Sequence, residues 1–495
     1  MKTKLILFSI ACAFAIQALA QSEDVKYEDI LVTDSSNIHQ GVLDNGFRYY
    51  ICNNDNPSNE LELRLIQKSG TDDEGGIPGI SLLLKRMLCS ENLTVGSNGV
   101  LKNKLDELQL QRLSQFRAAH GLVPNVSAYC SEIENRCTEY NLFRLRNDKT
   151  FVASYLDLLA EIAGDARFSS SELERQKELL VNEINNRRYD FHKAEEESLK
   201  AAFIEGCTPD EWANRQVESI RSITLQQLEA YYQKWYIPQN QCLYVFGKAP
   251  ANIVDMIKQK FGSRPSLLAP ERSVNELSDN KLLMVKQDVP MFVVQFLFLK
   301  PRVALSETKN LGSVRKAVIY KRFCDNIRSC FKGYVESSMD ENDKLFESPL
   351  FDIKFVAGLD LYAGESQFKN YIDDVTKKLD DIMLNGVNVE PDTMSMEKRK
   401  ELQQKALIDL RENVVMDTHS CIKDNFLYST PLFKNYLAQN YFQYEIGEQD
   451  IQDCCKEVFK DYDLRIICTT PYGYPDADIK AKLESVLQHF KQMEK

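Results

Sequence analysis

Histidine is scarce: five in 495 residues, at His39, His120, His192, His419 and His489. No two stand four residues apart, so neither H-E-x-x-H nor its inverse H-x-x-E-H is present. Those motifs set two imidazoles on one helical face around zinc, with a glutamate to activate water. A donor set assembled from scattered residues, His120, Cys130, Cys137 and Glu183, is conceivable. The plainer reading is surface histidines and structural or disulfide-bonded cysteines. No G-x-S-x-G, P-loop or G-x-G-x-x-G with an acidic partner occurs, so no serine nucleophile elbow or nucleotide cradle is expected. The chain has 13 cysteines but no C-x-x-C, and their pairing cannot be read from spacing. Cys454 and Cys455 read as one buried and one lateral thiol on a helix, and Glu195 to Ser198 as a solvated helix face.

The charge balance narrows the function further. With 61 Lys+Arg against 73 Asp+Glu the net charge is −12, the wrong sign for wrapping a phosphate backbone, so no nucleic-acid partner is expected. A composition 43% hydrophobic and 27% charged is that of a globular protein, not a disordered or multi-span chain. Lys2 and Lys4, the apolar run Leu5 to Ile16 and the Ala18-Leu19-Ala20 site have the form of a secretory signal peptide over residues 1–20. Export is therefore expected, to the periplasm of a Gram-negative host or otherwise to the medium, with no membrane span and with disulfides permitted.

The elements that would carry any site follow from periodicity. Leu61, Leu63 and Leu65 alternate with Glu62 and Arg64, a half-buried strand. A turn rich in Gly and Asp follows, and Pro78 opens an apolar helix near Gly79 to Cys89. Lys102 to Phe116 is amphipathic; Thr138 to Leu145 is a strand; Thr150 to Ala163 and Ser170 to about Ala202 are helices, the latter capped at Ser169–Ser171. Thr224 starts a tyrosine-rich helix leading to a strand at Gln241 to Phe246. Helix and strand recur together farther on, at Ile451 to Phe459 and Leu464 to Thr469. The expectation is two homologous α+β domains, residues 21–262 and 280–495, each a mostly antiparallel sheet with helices on one face. A Pro- and Ser-rich linker at 263–279 joins them.

Several segments together resemble the M16 metallopeptidases, the insulinase, pitrilysin and mitochondrial processing peptidase family. They are Leu43 to Phe47 (LDNGF), the strand ending Lys68-Ser69-Gly70, the helix Gly79 to Leu88 and the helix Ser171 to Ile184. The run Trp235 to Asn240, with the strand and the Ile253 to Phe261 helix after it, is similar to the end of the family's repeat. The resemblance implies a clam of paired α+β domains with zinc chemistry in the first. At the three H-x-x-E-H positions, however, stand Leu82, Lys85 and Arg86. Leucine offers no ligand atom, lysine cannot replace the glutamate base, and arginine is a fixed cation. Glu183, 97 residues after Arg86, takes the third-ligand position, with Gln176 where a supporting acid would be. No catalytic residue and no bound zinc are expected. If the two helices pack as in the family, Arg86 takes the metal's place and pairs with Glu183.

The family also binds substrate as an added edge strand. Ser127 and Ala128 match that segment here, and Arg328 and Tyr334 match the element that holds the substrate carbonyl. The expected function is that of a pseudopeptidase, a non-catalytic subunit pairing with an active M16 peptidase or with itself and helping to bind peptide. A stand-alone periplasmic peptide-binding or scaffold protein is the alternative, and a divergent active peptidase the third.

Overall fold

The computed structural model describes residues 38–493 apart from 54–59, 90–128, 147–148, 188–190, 273, 288–290, 303–310, 332, 341–342, 344, 359–363, 390–393, 413–417, 430–438 and 440. The signal-peptide reading and the amphipathic stretch 102–116 lie outside the described residues.

The first half carries strands β1 (Ile38–Val42), β2 (Arg48–Asn53), β3 (Glu60–Gln67), β4 (Tyr129–Ile133), β5 (Thr138–Arg146) and β6 (Gln241–Gly247). Its helices are α1 (Ile80–Cys89), α2 (Lys149–Ala160), α3 (Ser170–Arg187), α4 (Phe191–Phe203), α5 (Pro209–Ser222), α6 (Leu225–Trp235) and α7 (Ile253–Phe261). The sheet order is β1-β2-β6-β3-β5-β4. Every pair is antiparallel except β2 with β6, since β6 returns after the helices to insert between β2 and β3.

The second half carries β7 (Leu282–Gln287), β8 (Met291–Leu299), β9 (Tyr334–Asp340), β10 (Leu350–Gly358) and β11 (Asp463–Pro471). Its helices are α8 (Leu311–Ser329), α9 (Gly364–Asn385), α10 (Met396–Glu412), α11 (Thr418–Tyr428), α12 (Glu448–Val458) and α13 (Ala477–Met493). The order β7-β11-β8-β10-β9 repeats that of the first sheet strand for strand, with no counterpart of β1 among the described residues, and again the pair with the returning strand, β7 with β11, is the parallel one.

Local chemistry sets the element ends. Thr208 and Thr224 cap α5 and α6 with reciprocal boxes to Glu211 and Gln227. Ser169 Oγ accepts from Glu172 N–H at 3.3 Å at the head of α3. Residues 170–203 hold two helices, α3 and α4, in place of the single long one expected. Gly79 has φ +87°, and a Cβ there would stand 2.6 Å from Ile220, so α1 starts hard against α5 only because this residue is glycine.

Each half has a main core between its sheet and its helices. In the first, Leu61, Leu63 and Leu65 face Leu83, Leu84, Leu156 and Ile184; in the second, Phe296, Phe298 and Phe351 face Phe323, Leu379 and Phe490. The second face of each sheet, beyond the one face of helices expected from the sequence, is also covered. Ile422 and Phe426 of α11 pack on Tyr50, Ile66, Cys137, Cys242 and Tyr244 of the first sheet. Ala202 and Phe203 of α4 pack on Leu283, Leu297, Leu299 and Ile467 of the second. Each half thus lends one helix to the other's sheet.

Polar groups lock both loans. Glu139, buried on β5, accepts from His419 Nε2 at 2.9 Å and from Lys423 Nζ at 2.6 Å, and these contacts hold its carboxyl down at about 2 against the upward push of burial. Arg465, 1% exposed on β11, donates to the carbonyls of Phe203, Ser278 and Asn280 and pairs with Asp463 at 2.9 Å. It ties the end of α4 and the end of the linker to the second sheet. Since Phe203 and Phe426 are fully buried, truncating either one to alanine should lower unfolding free energy by about 3–5 kcal/mol. Denaturant titration measures this; a loss no larger than that of a surface substitution would mean that the lent helices are not integral to the fold.

Candidate functional site

A cleft of about 460 Å³ opens in the first half between α1, α4, α5 and the outer strand β4. Leu82 and Lys85 of α1 line it together with Glu74, Lys200, Trp212 and Gln216, and with the run from Ser131 to Asn135. Helix α1 presents Leu82 and Lys85 one turn apart, so both reach the same opening.

Arg86, next along α1, points at α3. Its Nη1 donates to Glu183 Oε2 at 2.9 Å, both side chains about one-third exposed. The spacing between these two positions is therefore closed by an ion pair. Gln176, two turns earlier on α3, is buried and donates to Glu172 Oε1 at 2.7 Å. This donor set does not fit zinc. Leu82 has no ligand atom, the guanidinium of Arg86 already sits on the only carboxylate of the set, and Lys85 adds a further cation. Among the described residues no group of three or more His, Cys, Asp and Glu is arranged to hold a metal ion. The scattered donor set does not assemble either: Cys137 lies under α11 on one face of the sheet and Glu183 on α3 over the other. His120 is outside the described residues, as is the side chain of Cys130.

Glu74 is the residue that sequence reasoning missed. It lies in the Gly-rich turn, where it reads as a solvated acid, but it caps α1 from outside. Its carboxylate accepts from Gly79 N–H at 2.9 Å and from the Ser81 N–H and hydroxyl at 3.3 and 2.5 Å. Burial of the carboxyl pushes its pKa up to about 7, with the Ser81 and Gly79 bonds and nearby Lys200 pulling the other way. Trp212 and Gln216, one turn apart on α5, were also not legible as site residues. The buried Trp212 Nε1–H and Gln216 Oε1 have no hydrogen-bond partner among the described residues, although both side chains line the cleft. Both stand beside the outer strand β4, whose outward edge has no partner strand among the described residues.

Of the other candidate residues, Ser127 and Ala128 lie outside the described residues; the strand they precede, β4, is an outer strand of the sheet and lines the cleft from Ser131 onward. Arg328 and Tyr334 lie in the second half and do not line this cleft. Arg328 donates to Ser337 O at 3.1 Å and pairs with Asp325, while the exposed Tyr334 hydroxyl donates to Glu336 at 2.6 Å.

Comparison with known proteins places this geometry. A family model described as the peptidase M16 inactive domain matches residues 222–320. The zinc protease PQQL-like protein of Arabidopsis thaliana is 24% identical over 234 residues, 46% of this chain and 23% of that protein. The probable zinc protease PqqL of Escherichia coli is 23% identical over 238 residues, 47% and 24% of the two chains. Among solved structures, the first half of the periplasmic protease PqqL from Escherichia coli superposes with a TM-score of 0.63 at 15% identity, covering 92% of this chain and 96% of that one. The chain has the fold of the M16 peptidases and resembles them in sequence over part of its length. It spans about a quarter of the length of these curated relatives. It covers half of the ferredoxin protease FusC, solved with Arabidopsis ferredoxin (TM-score 0.64, 17% identity, 92% of this chain and 50% of that one). On the M16 fold, α1 and α3 are the helices that the resemblance had assigned to zinc.

The raised pKa of Glu74 makes a signed prediction. Folding holds its proton up to about pH 7, whereas the unfolded side chain releases it near 4.5. That contribution to stability is complete below pH 4.5 and is lost as pH rises through 7. Urea titrations should therefore show wild-type stability falling relative to Glu74→Gln across this window and running level with it above. Parallel profiles for the two proteins would exclude the assigned proton.

Proposed function

We propose that the chain is a non-catalytic M16 subunit that binds an extended peptide in the cleft of its first half and completes a chamber with a second, catalytic M16 chain. The observation that carries this reading is the Arg86–Glu183 pair. At the place where the family's chemistry needs a dication and a general base, this chain puts a guanidinium on the remaining carboxylate, with Leu82 and Lys85 beside it. A buried or half-buried carboxylate needs a positive partner, and arginine supplies one permanently. Retaining Glu183 is then a structural matter.

Peptide binding is supported by the cleft itself: the outer strand β4 along one side, the unpaired Trp212 donor and Gln216 acceptor within it, and the mixed charge of Lys85, Lys200 and Glu74 around them. Pairing is supported by the fold match: 92% of this chain superposes on one half of PqqL, which is about half of the complete PqqL chain. The common strand order of the two sheets favours a duplicated ancestral unit, the plan from which four-domain clams are built. The PqqL structure is described as periplasmic, and no helix among the described residues is long and apolar enough to cross a membrane. Both fit export.

A thiol-based peptidase finds no support in the cysteines that line the sheets. Burial pushes Cys137 and Cys468 up to about 12, and Cys324 on α8 to about 11; the 11 cysteines whose side chains are described are unbridged, so these three thiols are held protonated and unreactive.

Two experiments test the reading. Zinc per chain, measured after dialysis against metal-free buffer, should be far below one in the wild type. It should rise to one in the Leu82→His/Lys85→Glu/Arg86→His variant and fall again when Glu183→Gln is added; stoichiometric zinc in the wild type would overturn the assignment. Light scattering of the chain with a catalytic M16 subunit from the same organism should give a heterodimer, with faster peptide hydrolysis than the catalytic chain alone. Separate species and unchanged turnover would instead indicate a stand-alone binding protein.

A further inference from the structure

The two sheets match strand for strand except at one edge. In the first sheet β1 lies antiparallel on β2, with Ile38 opposite Cys52 and Val42 opposite Arg48. The counterpart of β2 is β7, since each pairs in parallel with the returning strand of its sheet. Nothing among the described residues corresponds to β1 beside β7, which is the outer strand of its sheet.

The hydrogen-bond phase of β7 is fixed by Ile466 N–H donating to Lys281 O at 2.8 Å. With Leu282 opposite Ile466, the parallel ladder turns the backbone groups of Leu283 and Val285 toward β11. Those of Leu282, Met284 and Lys286 point outward, without a backbone partner among the described residues. A groove of about 970 Å³ runs along this edge and is lined by these residues.

The groove has walls on both faces of the sheet. On one side stand the end of α4 and the first turn of α5, with Ala202, Cys207, Asp210 and Glu211; on the other, Tyr472 and Lys480 at the start of α13. The side chains follow the same division, for Leu283 packs with Ala202 and Phe203, whereas Leu282 and Met284 pack toward the α13 side. Asp210 and Lys480 are exposed, and neither has an ion-pair partner among the described residues. A slot walled on both faces admits one extended strand. A second sheet bearing its own helices would collide with α5 and α13.

We propose that the β7 edge is a binding site for an extended segment of a partner polypeptide, which adds as the sixth strand of the second sheet, antiparallel to β7 as β1 is to β2. Main-chain bonds to Leu282, Met284 and Lys286 supply the affinity. The walls supply the preference: successive side chains of a strand point to opposite faces, so a basic residue turned toward Asp210 and Glu211 has an acidic neighbour turned toward Lys480. This site is separate from the cleft on α1 and does not depend on the function proposed for it.

The probe is a fluorescein-labelled hexapeptide, acetyl-Thr-Val-Lys-Glu-Val-Thr-amide, read by fluorescence anisotropy on the full chain at low salt. Binding should weaken about tenfold in Met284→Pro, which removes one outward N–H while leaving the β7–β11 ladder intact. Thermal unfolding of that variant should match the wild type. Lys480→Glu, at an exposed position, should weaken binding as well, and so should methylation of those peptide amides that face β7. Absence of binding to the wild type, or equal binding to wild type and Met284→Pro, would overturn the proposal. So would a wild-type dimer in light scattering that Met284→Pro dissolves, since the edge would then be filled by a second copy.

Discussion

The architecture depends on one constraint: each of its two sheets is apolar on both faces, and among the described residues the second face of each is covered by a helix of the other half. The main layer of helices covers one face. The other is closed by α11 on the first sheet and by α4 on the second. This reciprocal loan fixes the relative position of the halves more firmly than the linker could, because separating them would expose Phe203, Phe426, Leu297 and Tyr244 together. Glu139 and Arg465 then set the register of each loan through charge-assisted hydrogen bonds within an otherwise apolar contact.

The same constraint explains what could and could not be read in the sequence. Strand β3 was legible because Leu61, Leu63 and Leu65 share one face while Glu62 and Arg64 lie opposite. The cap at Thr224 and the proline before α1 were legible for equally local reasons. Strand β6 instead reads as a largely apolar run, which signals burial on both faces but not which element provides the second cover. The partners of α4 and α11 are hundreds of residues away, and no local pattern encodes such a contact. Tyr50 and Asn425, bonded at 2.7 Å, are 375 positions apart.

The candidate site was legible in part, and for a different reason. Positions Leu82, Lys85, Arg86 and Glu183 acquire meaning only once α1 and α3 are recognised as two particular helices, and the Arg86–Glu183 bond follows from that match and not from spacing. Glu74 hides in a turn whose composition predicts only solvent. Its role as a helix cap depends on a chain reversal between Glu74 and Gly79 that the turn residues permit without specifying. Trp212 and Gln216 look like ordinary core positions of an amphipathic helix. What sets them apart, in three dimensions, is one polar atom of each side chain with no partner among the described residues.

The lent helices also order events in time. The first sheet is complete in the chain once β6 ends at Gly247, but the helix that covers its second face does not begin until Thr418. At ribosomal speeds of about 5–20 residues per second, on the order of ten to thirty seconds of synthesis separate the two. Throughout that interval the surface formed by Tyr50, Cys52, Ile66, Cys137, Cys242 and Tyr244 lacks the helix that packs on it in the finished fold. Three of those six side chains are thiols. A nascent first half therefore exposes apolar surface and thiols together until α11 has emerged.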